Sequence, residues 1–408
     1  MADTPVPQTF RILCRPSGPS CNLCCDYCTC PKTAHPDPQS SLKMTEIVHE
    51  SFMRQVLGEH QGPLVRIIWQ GGEPMLSGLD FFRRTMDLQK KYKRPGTRVE
   101  HTLKTNGLLL DDNWCGFLHE NDFAVDLGVD GPQELHDNHR RDKEGSGTFD
   151  RTLKAVRMLQ KHRIRLGIIC RVNRRNGQYP LPVYRFFRDE LGAGCIRFIP
   201  LVHQTTKENP RQGDSVTGFS VRPHQWGRFL IEIFDEWVAR DMGAVTVLNF
   251  DEALAVRLGK PDTACVLAPD CGKGIVLEPS GDMYSCDRFI EPGHSLGNIL
   301  KTSFTDLVSS ERLLRFRSDK QDMLARSCRE CSYLSICNGE CPGNRFMVSP
   351  HGEAGLNYLC AGYRVFFRHT EPAMELMADL LGRGEPIRGI MPVPAHQEAG
   401  SPAATFSE

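Results

Sequence analysis

Along the first 260 residues, short runs rich in β-branched and aromatic residues alternate with segments of helical period. Strands are expected over Phe10–Arg15, Val65–Gln70, Arg98–Thr105, Phe123–Val129, Arg165–Val172 and Cys195–Pro200. Helices are expected over Thr45–Leu57, Leu79–Lys91, Asp112–Glu120, Thr148–His162 and Pro182–Leu191, with Arg222–Arg240 after the last strand. Thr45 and Thr148 stand where a hydroxyl can accept from the free N–H groups of a first helical turn. Strands with intervening helices read as a parallel α/β sheet. A full eight-fold barrel needs ~250 residues of such units, so the six units here point to a partial barrel. Beyond residue 262 the periodicity weakens, and cysteines, glycines and prolines punctuate short segments. A loop-rich region of that kind buries little core and is commonly stapled by metal or sulfur bonds. A last helix is expected at Pro372–Leu381, and 391–408, rich in Pro, Ala and Ser, reads as a flexible tail.

The 408 residues carry 50 basic and 50 acidic side chains, so bulk charge does not point to nucleic acid. No apolar run is long enough for a signal peptide or a membrane span. The cytoplasm is therefore the expected compartment. Disulfides are rare there, and 17 cysteines point instead to metal ligation, cluster ligation or redox chemistry. The 14 histidines share no ligand spacing, and His136, His139 and His162 read as surface or hydrogen-bonded residues.

Cys21-Asn-Leu-Cys24-Cys25-Asp-Tyr-Cys28 contains the spacing C-x3-C-x2-C, in a loop directly after the first strand. Three thiolates hold three corners of a cubane and leave the fourth iron open for a ligand. A zinc knuckle or reactive thiols are the alternatives. Trp69-Gln-Gly-Gly-Glu-Pro74 ends the second strand; its glycines let a ligand approach the backbone, and Glu73 could hold an ammonium. Tyr27 could stack on a purine, or simply pack. Between 265 and 360 stand eight more cysteines: Cys265, Cys271, Cys286, Cys328, Cys331, Cys337, Cys341 and Cys360. Eight thiolates suffice for two fully ligated clusters or two zinc sites.

The C-x3-C-x2-C loop, the aromatic before its last cysteine and the Gly-Gly-Glu-Pro string together resemble the radical S-adenosylmethionine (SAM) enzymes. The resemblance implies that Cys21, Cys25 and Cys28 ligate a [4Fe–4S] cluster whose open iron binds SAM. It implies that Gly71, Gly72 and Glu73 meet the SAM amino group, with Tyr27 near adenine. Cys24 and Cys30 fall outside the spacing. The C-terminal cysteines resemble a SPASM extension with two auxiliary [4Fe–4S] clusters, making three in all. By that likeness Cys265, Cys271, Cys286 and Cys341 hold one, and Cys328, Cys331, Cys337 and Cys360 the other. Cys14, Cys24, Cys30, Cys115, Cys170 and Cys195 remain as packing residues or inert thiols. The implied fold is a partial (β/α)6 radical SAM barrel at 1–240, a connecting segment at 241–261, and a SPASM domain at 262–370. A C-terminal helix at 371–390 and the tail complete it.

Tyr284-Ser-Cys-Asp-Arg-Phe289, Ser295-Leu-Gly-Asn-Ile299, Cys337-Asn-Gly-Glu-Cys-Pro342, Asn357-Tyr-Leu-Cys-Ala-Gly-Tyr363, Thr105-Asn-Gly-Leu-Leu109 and Asp130-Gly-Pro132 narrow the resemblance to one branch. They look like the anaerobic sulfatase-maturating enzymes, which convert a sulfatase cysteine or serine to Cα-formylglycine. The substrate implied is a sulfatase segment, Cys/Ser-x-Pro/Ala-x-Arg, and the electron donor a low-potential carrier such as flavodoxin or ferredoxin. Neither nucleic acid nor membrane is implied. Asp287 matches the position of the family's base. Lys104 stands where relatives often have glutamine and could supply a charge-assisted hydrogen bond to SAM. Gly128 stands where relatives often have serine, so the SAM carboxylate must be held otherwise. Asn173 reads as a ribose contact or as an ordinary strand-end asparagine. A SPASM maturase that crosslinks a ribosomal peptide and a non-catalytic zinc or cluster protein are the competing readings.

Overall fold

The computed structural model describes residues 11–28, 43–59, 62–205, 216–260, 265–385 and 387. Cys30 and the expected tail at 391–408 lie outside them. In chain order the first half runs β1 (Arg11–Cys14), α1 (Glu46–Glu59), β2 (Leu64–Trp69), α2 (Leu79–Tyr92), β3 (Arg98–Thr105), α3 (Asp112–Glu120), β4 (Ala124–Gly128), α4 (Gln133–His136), α5 (Phe149–Lys161), β5 (Arg165–Val172), α6 (Pro180–Arg185), β6 (Cys195–Pro200) and α7 (Pro223–Glu236). The second half runs β7 (Thr246–Val247), α8 (Leu248–Arg257), β8 (Gly274–Leu277), β9 (Asp282–Tyr284), β10 (Ser295–Asn298), α9 (Phe304–Val308), α10 (Glu311–Asp322), α11 (Arg326–Arg329), α12 (Leu334–Cys337), β11 (Met347–Val348), β12 (Ala354–Leu356) and α13 (Cys360–Gly382). β1 to β6 pair in parallel and in sequence order, which is the expected partial barrel.

Period-two alternation decides what each face of this sheet carries. Val65, Ile67 and Trp69, then His101 and Leu103, then Val125 and Leu127, then Ile168 and Cys170 are buried against the helices. The residues between them, Arg66, Glu100, Lys104, Asp126, Arg171 and Arg197, face the concave side and keep some exposure. The fold thus builds one apolar layer and one charged, accessible hollow from the same strands. Parallel register puts Lys104 opposite Asp126, so the two opposite charges share one rung of that hollow.

Buried imidazoles sit in the apolar layer. Trp69 Nε1 donates to His101 Nδ1 at 3.1 Å, so His101 donates from Nε2 to Gln89 Oε1 at 2.7 Å and is neutral. His49 stacks on Phe81 at 4.1 Å. Burial lowers His101 to about 3 and His49 to about 4. Both folded-state values lie below the ordinary 6.5, so their contribution is full above that value and is lost as pH falls through the window below it. Taking the chain from pH 7 to 5 should cost roughly 2 kcal/mol for each histidine. Urea denaturation of the wild type and of His101→Gln at the two pH values checks this; equal pH slopes would show that His101 is not the source.

Three local expectations are corrected. Thr45 does cap its helix, accepting from the Val48 N–H at 3.3 Å. Thr148 does not: its hydroxyl donates to the Arg140 carbonyl, and Asp137 Oδ1 instead accepts from the N–H groups of Thr148 and Phe149 at 2.7 and 2.9 Å. The segment 241–261, expected to be a connector, supplies β7, which pairs in parallel with β6, and α8. The last helix begins at Cys360, not near Pro372, and ends at Gly382 rather than 390. Pro372 reads as a helix start, but Gly362 lies against α7 so closely that a Cβ there would come within 1.9 Å of the Pro223 carbonyl oxygen. That backbone contact, not local propensity, docks the first turns of α13.

The cysteine-rich segment continues the barrel sheet rather than forming a separate body. β8 pairs in parallel with β1, Arg11 opposite Gly274, and β9 and β10 follow antiparallel. Among the described residues no helix is long and apolar enough to cross a membrane.

Candidate functional site

The loop that follows β1 doubles back on itself. The Cys28 N–H donates to the Cys25 carbonyl at 2.9 Å, and the Cys24 N–H to the Arg141 carbonyl at 2.8 Å. Cys21 Sγ accepts from the Leu23 N–H at 3.4 Å and from Asn106 Nδ2 at 3.8 Å. Burial pushes the Cys25 thiol up to about 11, while the Arg140 guanidinium pulls it back and the Cys21 and Cys24 thiols lie close by. Amide donors and a nearby cation are what a thiolate ligand needs. Cys24 is exposed. The donor set of Cys21, Cys25 and Cys28 therefore fits a cluster with one iron left open.

The Gly-Gly-Glu-Pro turn does more local work than ligand approach. Gly72 donates its N–H to the Gly18 carbonyl at 2.9 Å, and Glu73 its N–H to the Ser20 carbonyl at 2.8 Å. A Cβ on Gly72 would stand 2.1 Å from the Ser20 carbonyl oxygen. The glycines thus let the cysteine loop lie backbone to backbone on the end of β2. Gly72→Ala should dislodge that loop, so iron retained after reconstitution and SAM cleavage should fall together. A Gly72→Ala protein with full iron content would show the loop is held elsewhere. Glu73 corrects the expectation that its carboxylate could hold an ammonium. It is fully buried and accepts from Met75 N at 3.1 Å, Thr105 Oγ1 at 2.8 Å and Asn106 N at 2.9 Å. Burial still raises it to about 7. Its carboxylate ties β2 to the end of β3, and what Gln70 to Gly72 can offer a ligand is backbone.

Asp130 organises the next strand end. It is fully buried and accepts from Arg140 Nη2 at 3.1 Å, from the Arg171 N–H at 3.1 Å, and from the Tyr27 hydroxyl. The Arg140 cation holds Asp130 below the usual carboxylate range despite its burial. Tyr27 is correspondingly locked, its ring edge-on to His139 at 5.5 Å and flanked by Arg140 at 6.0 Å. Where Gly128 lacks a side chain, the Arg140 guanidinium fills the space: a Cβ there would meet Nη1 at 2.7 Å. Asn173 is fully buried; its Oδ1 accepts from the Arg175 and Asn176 N–H groups at 2.8 and 3.1 Å, but its Nδ2 has no partner. A buried amide donor without an acceptor is the kind of group a bound ligand satisfies.

Electrostatic neighbourhood divides the eight C-terminal thiols into two groups of four. Cys265 is a neighbour of Cys271, Cys286 and Cys341, and Cys286 of Cys341. Cys328 is a neighbour of Cys331, Cys337 and Cys360, and Cys360 of Cys331. Cys341 follows Cys337 closely in sequence, yet its thiol neighbour is Cys265 of the earlier group. Burial pushes Cys337 and Cys341 each up to about 12. Among the described residues no three His, Cys, Asp or Glu side chains converge as a single metal ion requires. Each four-thiol set has the donor chemistry of a fully ligated cluster. Cys14, Cys115 and Cys170 are buried.

Asp287 links these groups to the barrel. Its carboxylate accepts from Gln70 Nε2 at 3.4 Å, across 217 residues of sequence, and lies 3.6 Å from Cys286 Sγ. Lys104, with its pKa lowered by burial, is drawn upward by Asp126 and Asp287. Lys104 therefore lies among carboxylates on the concave face of the sheet. Sequence reasoning left Gln70, Asn106, Asp130 and Arg140 without site roles. The strings Thr105-Asn-Gly-Leu-Leu109 and Asp130-Gly-Pro132 held part of the signal.

A radical SAM superfamily model matches residues 16–178, and an iron-sulfur cluster-binding (SPASM) domain model matches 270–332. Over 384 residues the chain is 38% identical to the serine-type anaerobic sulfatase-maturating enzyme of Bacteroides thetaiotaomicron, covering 91% of this chain and 92% of that protein. It is 30% identical over 372 residues to the cysteine-type enzyme of Clostridium perfringens, covering 90% and 97% respectively. The solved structure of native anSMEcpe with bound AdoMet and Cp18Cys peptide superposes with a TM-score of 0.81 at 29% identity, covering 91% of this chain and 99% of that one. Streptococcus suis SuiB, at 15% identity and a TM-score of 0.57, shares the fold alone.

Proposed function

Because the chain belongs to the anaerobic sulfatase-maturating enzymes, we propose that its hollow oxidises a cysteine or serine in a sulfatase segment of the form Cys/Ser-x-Pro/Ala-x-Arg to Cα-formylglycine. It is a radical SAM enzyme, with SAM and three [4Fe–4S] clusters as its cofactors. Cys21, Cys25 and Cys28 are the ligands of the SAM-binding cluster. Cys265, Cys271, Cys286 and Cys341 hold one auxiliary cluster, and Cys328, Cys331, Cys337 and Cys360 the other. When bound, these groups supply a 5′-deoxyadenosyl radical that takes a hydrogen atom from the target Cβ, and an acceptor for the electron that must leave afterwards.

The chain's own residues do the rest. Backbone at Gly71 and Gly72 meets the SAM amino group, and Asn173 donates its unpartnered Nδ2 to the ribose. Arg140, over Gly128, stands where a cation can face the SAM carboxylate. Asp287 takes the proton from the target thiol or hydroxyl, so that loss of one hydrogen atom, one proton and one electron leaves a C=S or C=O bond. A thioaldehyde from cysteine is then hydrolysed. The carrying observation is the reach of Asp287 to Gln70, immediately before the glycine pair. A low-potential flavodoxin or ferredoxin is the proposed donor and the cytoplasm the proposed compartment, where free thiols persist.

The test is anaerobic: the reconstituted protein receives SAM, a reductant and matched peptides carrying cysteine or serine at the target position. Peptide mass and 5′-deoxyadenosine are followed together. Formylglycine matched to deoxyadenosine is expected from at least one peptide. Deoxyadenosine with both peptides unchanged would overturn the reading in favour of peptide crosslinking.

A further inference from the structure

A basic cavity of about 300 Å³ opens beside the proposed centre, lined by Arg174, Gln178, Arg222, His224, Gln225 and Arg228. Among the described residues its lining holds no carboxylate. Arg174 directly follows Asn173 at the end of β5, and its N–H donates to the Phe219 carbonyl at 2.8 Å. The Phe219 ring meets His139 at 5.5 Å, and His139 meets Tyr27 of the cysteine loop. The cavity therefore lies on the same strand-end face as the cluster loop.

A second line of contacts ties it to Asp287. Arg288 Nη2 donates to Asn344 Oδ1 at 2.9 Å. The Asn344 carbonyl accepts from the Tyr358 N–H at 2.8 Å. Tyr358 in turn is an electrostatic neighbour of both Arg174 and Arg222. These contacts connect Arg288, the residue after the proposed base, to the neighbourhood of the two arginines. Arg228 is ion-paired with Glu232 at 3.1 Å, but among the described residues Arg174 and Arg222 have no carboxylate partner. Arg174 Nε donates to the Ser220 carbonyl at 3.3 Å, and the planar forks of the two guanidiniums that line the cavity match a carboxylate.

We propose that this cavity is a specificity pocket for an aspartate or glutamate side chain of the polypeptide substrate, outside its Cys/Ser-x-Pro/Ala-x-Arg segment. This rests on the reading that a polypeptide lies in the cleft. The pocket takes no part in the chemistry; it selects and orients the chain that reaches Asp287.

The test is binding of fluorescent peptides to the reconstituted, SAM-loaded protein, read by anisotropy. One peptide carries flanking acidic residues, a second has them as Asn and Gln, and a third as Lys. The wild type should bind the acidic peptide about ten-fold more tightly than the neutral one, which is about 1.4 kcal/mol. Arg174→Gln with Arg222→Gln should remove that preference, and Arg174→Glu with Arg222→Glu should transfer it to the lysine peptide. Millimolar inorganic phosphate should displace the acidic peptide selectively. Equal wild-type binding of acidic and neutral peptides overturns the proposal without recourse to any variant. So does an equal loss of both peptides in the Gln variant. Phosphate that raises the wild-type melting temperature while acidic and neutral peptides bind alike identifies a free-anion site instead, and also overturns it. Failure to oxidise any peptide would defeat the catalytic reading while leaving this binding preference measurable.

Discussion

Asp287→Asn should keep cleaving SAM yet lose about 10²–10⁴-fold of its peptide oxidation, the range of a positioned general base. The side chain is exposed in the hollow, held at 3.4 Å by Gln70 and near the Lys104 cation. Asparagine preserves the shape and the hydrogen bond from Gln70 but cannot take a proton. Hydrogen abstraction at Cβ does not depend on this carboxylate, so deoxyadenosine should still form and become uncoupled from product. Formylglycine formed at the wild-type rate would sink the base assignment. Equal loss of deoxyadenosine and product would instead mean that Asp287 positions SAM or supports its neighbour Cys286.

Cys25→Ala should reduce 5′-deoxyadenosine to the level of a protein-free control and remove one cluster's share of iron. Burial raises its thiol to about 11 and Arg140 opposes that rise, and a thiol must lose its proton to ligate iron. With two thiolates left, the loop no longer offers three corners of a cubane. The auxiliary thiol groups lie elsewhere and should keep their iron. Iron and sulfide analysis with a deoxyadenosine assay checks both parts. SAM cleavage surviving in Cys25→Ala would contradict the cluster assignment, and total iron loss would show that the three sites do not assemble independently. Cys24→Ala, at an exposed position on the same loop, is the matched control and should behave as wild type.

Much of the barrel was legible because local signals and tertiary demands agree there. β3, β5, β6 and α3 occupy the expected residues, since each combines a clear period with a turn at either end. The errors fall where a long-range contact overrides a local one. Pro372 reads as a helix start, but Gly362 and Gly227 let α13 lie directly on α7. Glu73 reads as a ligand for an ammonium, but Thr105, Asn106 and Met75 claim its carboxylate. Thr148 reads as a cap, but Asp137 arrives from the preceding loop to do that work.

Cysteine spacing, the glycine-glycine turn and the order of strands were determined by the sequence alone, because each is a short-range pattern with a specific chemical requirement. The family resemblance names the two sets of four thiols and Asp287; only the tertiary structure brings Asp287 to the end of β2 and sets the thiols of each group beside one another. Those relations depend on β8 adding to the edge of β1, which carries Asp287 to Gln70 across 217 positions. No local period encodes such a contact. It arises from the open edge of a parallel sheet, whose unpaired backbone groups must be satisfied by a strand from elsewhere in the chain.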